Sequence, residues 1–160
     1  MREKLIGWLE KTLALLMTLL VLDVIWQVIT RFLLNNPSSF TDELARYLLI
    51  WLGLLGAALV SGHKMHLAID LLSDRISNPR SQKYLAIFIE FVIVVTSLSI
   101  MVFGGSKLVY TIWSLGQTST ALQVPLSVVY SILPFSGLLI AYFAIEDIIA
   151  RTIKSEVNGG

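Results

Sequence analysis

Three groups of polar residues interrupt an otherwise greasy chain, and each has a spacing that could support chemistry. The stretch "TDELARY" gathers Asp42, Glu43 and Arg46. Asp42 to Arg46 is an i,i+4 step and Glu43 to Arg46 an i,i+3 step, so the three charges share one side of a helix. A water-soluble enzyme could use such carboxylates as an acid and a base. The stretch "SGHKMH" offers His63 and His66 beside Lys64, which invites a metal or haem reading. Asp23, Gln27, Thr30 and Arg31 follow one another at steps of four, three and one, as a polar stripe along a helix.

Each group has a plainer use. Two histidines on one segment are too few for a zinc site. Haem held between two helices needs a histidine on both, and the chain has only these two. No metal or cofactor is therefore expected, and His66 to Asp70, an i,i+4 pair, fits a contact at a membrane surface. With no cysteine, disulfides, thiolate metal sites and cysteine nucleophiles are excluded. A buried aspartate such as Asp23 is expensive in a membrane and marks a functional position by default. A single carboxylate makes a poor ion relay, however, so the Asp23–Gln27 stripe is expected to face protein and hydrogen-bond there. Thr41 can cap a helix, and Asp42 and Glu43 suit the positive end of its dipole. Arg46, Gly53 and Ala57 project in nearly the same direction, and Ser61 continues the row. Small residues at this spacing let a neighbouring backbone approach closely, so this face is expected to meet protein, with Arg46 partly buried at its edge and within reach of Asp23. Trp51 is expected to face lipid or a second partner. Glu90 and Lys107, near opposite ends of one span, can snorkel or pair.

The elements that position these groups are set by composition. Of 160 residues, 56% are hydrophobic and 14% charged, and the mean hydropathy is +0.78. The apolar residues come in long runs. Crossing ~30 Å of hydrocarbon takes roughly 20 helical residues, and four segments qualify: 5–34, 44–61, 84–115 and 126–150. They fill most of the chain, leaving a single membrane domain over 1–160 and no room for a soluble catalytic module. The fold expected is an all-α integral membrane protein of four transmembrane helices. The N-terminal segment has the positive head and apolar body of a signal peptide but no small-residue cleavage site, so it reads as a retained anchor. The first and third spans, at ~1.5 Å per residue, exceed the hydrocarbon and must tilt, protrude or bend. Gly104-Gly105 is the expected bend in the third. Pro125 suits a helix start, while Pro134 inside the fourth span frees the carbonyl of Tyr130. Between the second and third spans, Met65, Ile69, Leu72 and Ile76 share one helical face, which predicts a short amphipathic helix along the membrane interface.

Orientation follows from the basic residues. Arg2, Lys4, Lys11, Lys64, Arg75, Arg80, Lys83, Arg151 and Lys154, nine of the twelve, fall on one side of four alternating spans. Only Arg31, Arg46 and Lys107 fall toward the other. The positive-inside rule then places both termini and the middle loop in the cytoplasm. The connectors 35–43 and 116–125 face outward. A net charge of +1 gives no reason to expect nucleic acid as a partner.

Three blocks, "TDELARYLLIWLGLLGAAL", "HLAIDLL" and "GQTSTALQVPLSVVYSILP", resemble the small membrane subunit, of DctQ type, of tripartite ATP-independent periplasmic (TRAP) transporters. Asp42, Glu43, Arg46, Tyr47 and Trp51 fit its acidic pair followed by arginine and aromatics. His66 and Asp70 fit its histidine and aspartate four apart. Gln117, Thr118, Pro125, Tyr130 and Pro134 fit its outer loop. The blocks cover about a third of the chain, and the first helix carries no motif of its own. The resemblance implies a three-part uptake system in the bacterial inner membrane. A periplasmic binding protein captures an organic anion of carboxylate or sialic acid type. A large transmembrane subunit moves it, driven by an ion gradient, usually of sodium, and the small subunit braces the large one and offers part of the docking surface. On this reading, Asn35, Asn36, Ser38, Asp42, Glu43, Gln117, Thr118 and Ser119 face the binding protein. Asp23, Gln27, Arg46, Gly53 and Ala57 make interhelix or large-subunit contacts, and His66 and Asp70 lie at the cytoplasmic interface. The residues agree independently, for the chain shows neither the inverted repeats and broken helices of transport sites nor a phosphate-binding loop for ATP. The alternatives are a haem- or quinone-holding anchor of a respiratory complex, which would need His63 or His66 as a ligand, and a free-standing small channel or multidrug carrier, which would need a charged pathway at the membrane centre.

Overall fold

The computed structural model describes residues 1–34, 38–63 and 79–157. It is built from helices α1 (Arg2–Phe32), α2 (Ser39–Gly62) and α3 (Pro79–Thr96), a π-helical segment (Ser97–Gly104), and helices α4 (Gly105–Ser114), α5 (Leu126–Tyr130) and α6 (Ile132–Val157). Among the described residues there is no strand, only one isolated antiparallel bridge between Thr118 and Pro125. Four stretches are long and apolar enough to cross a membrane: Arg2–Phe32, Ser39–Gly62, Tyr84–Ser114 and Leu126–Ile153. The expected amphipathic helix, with His66 and Asp70, lies outside the described residues, as do Asn35 and Asn36.

Local chemistry explains where these helices stop. The start of α2 lies earlier than Thr41 suggests. Ser38, in extended conformation, is the N-cap residue, while Thr41 sits buried in the first turn and donates from its hydroxyl to the Ser38 carbonyl at 2.9 Å. At the end of α4, Gly116 takes a left-handed conformation with φ +61°. The amide of Gln117 reaches back to the Ile112 carbonyl at 3.3 Å and that of Gly116 to Trp113 at 3.0 Å. This pair of bonds closes the helix, and glycine supplies the required φ without steric penalty. The fourth span breaks at Ser131, between α5 and α6. Pro134 therefore stands in the first turn of a new helix, where its missing N–H is tolerated, and not inside a continuous one. The irregularity of the third span likewise differs from the expected glycine bend. It is an eight-residue π-helical segment that ends at Gly104.

In the packing, α1 lies on α2, α2 on α6, and α6 on both α3 and the π-helical segment, with α4 against α5. Ile6, Leu9, Leu55, Ile132 and Phe143 form the buried centre, flanked by Leu13, Trp51, Leu54 and Tyr142. The outer half of α1 is sparsely covered: Leu20, Asp23 and Thr30 are buried, whereas Leu22, Ile25, Trp26 and Val28 between them are exposed. Trp51 departs from expectation, since it joins the core and donates its indole N–H to the Val129 carbonyl at 3.0 Å. That bond ties α2 to α5, just before the break at Ser131.

Candidate functional site

Two polar clusters tie the helices together, one at each end of the bundle. At one end the start of α1 meets the end of α2 and the C-terminal half of α6. The Arg2 guanidinium grips Asp147 with two nitrogens, at 2.7 and 3.2 Å. It lies 3.5 Å from Glu146 and donates from Nε to the Gly62 carbonyl at 3.0 Å. It also stacks over the Phe143 ring, 5.5 Å from its centroid. The side chain of Asp147 is only 3% exposed and that of Arg2 12% exposed, so this ion pair is largely buried, with Asp147 the deeper partner. Glu90 of α3 is fully buried and close enough to act on Arg2 through space. The idea that Glu90 snorkels is thus corrected: its carboxylate is inside the bundle, while Lys107 is exposed. Nearby on the surface, His63 Nε2 lies 3.1 Å from the Glu10 carboxylate. By sequence Arg2 reads only as a topological charge, and the local sign of this cluster is a pair of adjacent acids, Glu146 and Asp147, within an apolar span.

At the other end, Glu43 reaches from the first turns of α2 to the connector 116–125. Its carboxylate accepts hydrogen bonds from the Ser119 hydroxyl, from the Thr120 hydroxyl at 2.7 Å, and from the amides of Thr120, Ala121 and Leu122 at 3.2, 3.0 and 3.1 Å. Ser119 is buried and also accepts from the Leu122 amide at 3.2 Å. Glu43 and Ser119 are therefore engaged with each other, while Asp42, Gln117 and Thr118 are exposed and Ser38 is half-buried. Arg46 pairs with Asp42 at 2.7 Å, and the two side chains are 66% and 60% exposed. Within this chain Arg46 is on the surface, not partly buried, and its carboxylate partner is Asp42, not Asp23. Gly53 and Ala57 continue its row and are exposed, and nothing lies within 4 Å of where a Gly53 side chain would begin.

The stripe on α1 divides. Asp23 and Thr30 are buried and Gln27 is half-buried, on the helix whose packing partner is α2, while Arg31 is exposed. Thr30 donates to the Gln27 carbonyl at 3.0 Å. The Asp23 Oδ2 atom is buried without a hydrogen-bond partner in the chain. Both clusters are devices for holding helices and a loop in place, since each engages a charge with fixed partners.

Comparison with known proteins agrees with this picture. The family model for the DctQ component of tripartite ATP-independent periplasmic transporters matches residues 8–153. The sialic acid TRAP transporter small permease protein SiaQ of Vibrio cholerae is 32% identical over 105 residues, 65% of this chain and 60% of that protein. A putative TRAP transporter small permease protein of Haemophilus influenzae is 31% identical over 80 residues, 48% of this chain and 50% of its own. The isethionate TRAP transporter permease protein DctMQ of Oleidesulfovibrio alaskensis is 24% identical over 158 residues, 92% of this chain but 25% of that protein. The matched stretch thus spans less than two thirds of the length of each of these relatives.

Proposed function

Because the chain belongs to the DctQ component family of tripartite ATP-independent periplasmic transporters, we propose that it is a small, non-catalytic permease subunit that braces a large transmembrane subunit. The system takes up an organic anion of carboxylate or sialic acid type, delivered by a periplasmic binding protein and driven by an ion gradient, with sodium as the coupling ion. The Arg2 end of the bundle faces the cytoplasm and the Glu43 end the periplasm, in accord with the basic residues at the former. Of the outward groups, Ser38, Asp42, Gln117 and Thr118 meet the binding protein. Glu43 and Ser119 are already occupied with each other.

The observation that carries this reading is the row Arg46, Gly53 and Ala57 on α2, which turns away from the chain's own helices. Small residues pack membrane helices closely, and lipid gives no reason to collect them on one face. A relative in which the matching stretch is a quarter of one longer permease supports a large neighbour for that face. Co-expression with the large permease should give a one-to-one complex, and proteoliposomes with this chain and the binding protein alone should show no uptake. Uptake at full rate without the large subunit would overturn the proposal.

A further inference from the structure

The connector 116–125 is held mostly by one distant side chain. Three consecutive amides, of Thr120, Ala121 and Leu122, and two hydroxyls, of Ser119 and Thr120, converge on the Glu43 carboxylate, 76 to 79 positions away in sequence. Successive amides aimed at one point form a concavity that binds anions, and here the anion is supplied by the chain itself. The remaining ties are local. The Ser119 amide donates to Val124 at 2.9 Å and the Leu126 amide to Gln117 at 3.1 Å. Gln123 has a left-handed φ of +55°, a conformation that a non-glycine residue keeps only when its surroundings impose it. Its Nε2 bonds the Thr120 carbonyl at 3.2 Å, within the turn that Glu43 holds. Gln117, Thr118 and Gln123 remain exposed.

We propose that Glu43 is a positioning residue: its carboxylate fills the anion concavity of the 119–122 turn and so holds Gln117, Thr118 and Gln123 in fixed places for the soluble partner, without touching that partner itself. This rests on the docking role given to the connector above. A loop fixed in advance loses less freedom on each encounter, which favours a partner that must bind and leave repeatedly. Asp42, one position earlier, is outside the concavity and is the acid left to meet a partner.

The test uses the complex with the large subunit in proteoliposomes, with uptake measured against binding-protein concentration. Glu43→Ala should raise the half-saturating concentration about tenfold while leaving the rate at saturation near wild type, as expected when preorganisation is lost. Added acetate or formate should refill the vacated concavity and restore the wild-type value, whereas chloride at equal ionic strength should not. Ser119→Ala, buried beyond reach of a soluble protein, should shift half-saturation in the same direction and add nothing on top of Glu43→Ala. Amide exchange of the 119–122 segment in the purified complex should speed up in Glu43→Ala whether or not any partner is present. Unchanged exchange overturns the positioning role outright. Faster exchange, in a system whose wild-type uptake ignores the binding protein, overturns the docking reading and this proposal with it. A raised half-saturation that acetate and formate leave untouched shows a direct contact instead, and also overturns it. Should Glu43→Ala not assemble, Glu43→Gln keeps the volume but turns an amide N–H₂ toward the donors, and the exchange and half-saturation readings apply to it unchanged.

Discussion

Gly137 of α6 sits so close to the π-helical segment that a side chain there would begin 2.6 Å from the Met101 Cβ and 3.2 Å from the Ser97 carbonyl oxygen. No such contact is tolerated, so Gly137→Ala must push α6 off the third span. Forcing one methyl into a packed interface costs about 1–3 kcal/mol. A lower melting temperature in detergent is expected for Gly137→Ala, while Gly53→Ala, with open space around it, should melt like the wild type as an isolated chain. Equal melting of all three would refute the close packing.

Arg2→Ala removes one half of a largely buried pair and takes the guanidinium from Asp147. Breaking such a pair costs about 3–5 kcal/mol. Arg2→Lys should recover only part of this, because a point charge cannot grip two carboxylate oxygens and the Gly62 carbonyl together. Thermal unfolding followed by tryptophan fluorescence checks both, and an Arg2→Ala protein of unchanged stability would show the contact to be idle.

Arg46→Ala should behave differently. Its pair with Asp42 is exposed, and such pairs are worth ~0–1 kcal/mol, so the isolated chain should keep its melting temperature. The yield of complex with the large subunit should fall if Arg46 borders the face proposed for that partner. Full yield would leave the arginine with no role beyond pairing on its own helix.

Trp51→Phe keeps the ring in the core but deprives the Val129 carbonyl of its indole donor. A buried acceptor left without its partner costs about 1–3 kcal/mol. The loss should appear as reduced stability with little change in helix content by circular dichroism, and undiminished stability would mean that another donor takes over.

Sidedness can be read with reporter fusions. Those placed after Ser38 and Gln117 should report the periplasm, and those after Ser77 and Lys154 the cytoplasm. A cytoplasmic signal after Gln117 would break the assignment.

The spans were legible because hydrocarbon imposes a length and a composition that can be counted along the chain. The partners of individual charges were not. Glu43 offers two local explanations, a helix dipole and an arginine three residues on, and both hide a connector more than seventy positions away. Arg2 looks like any basic residue near an N-terminus until the fold shows which helix ends meet. Burial depends on the same long-range information: Glu90, Trp51 and Arg46 sit on helices whose inward faces are chosen by neighbours, and their order along the chain leaves that choice open. The π-helical segment packs against Gly137, a position that no pattern within the third span announces.

The halves of the Arg2–Asp147 contact are 145 positions apart, so it cannot close until the last span has been synthesised. At about 5–20 residues per second, Arg2 waits roughly 7–30 s for that carboxylate. On the proposed topology it counts, during that interval, toward the charge bias that orients the first helix. Only when α6 arrives does the same side chain exchange water for a carboxylate. One residue thus serves twice in time, first as a signpost for insertion and then as the bolt that is drawn once the bundle is whole.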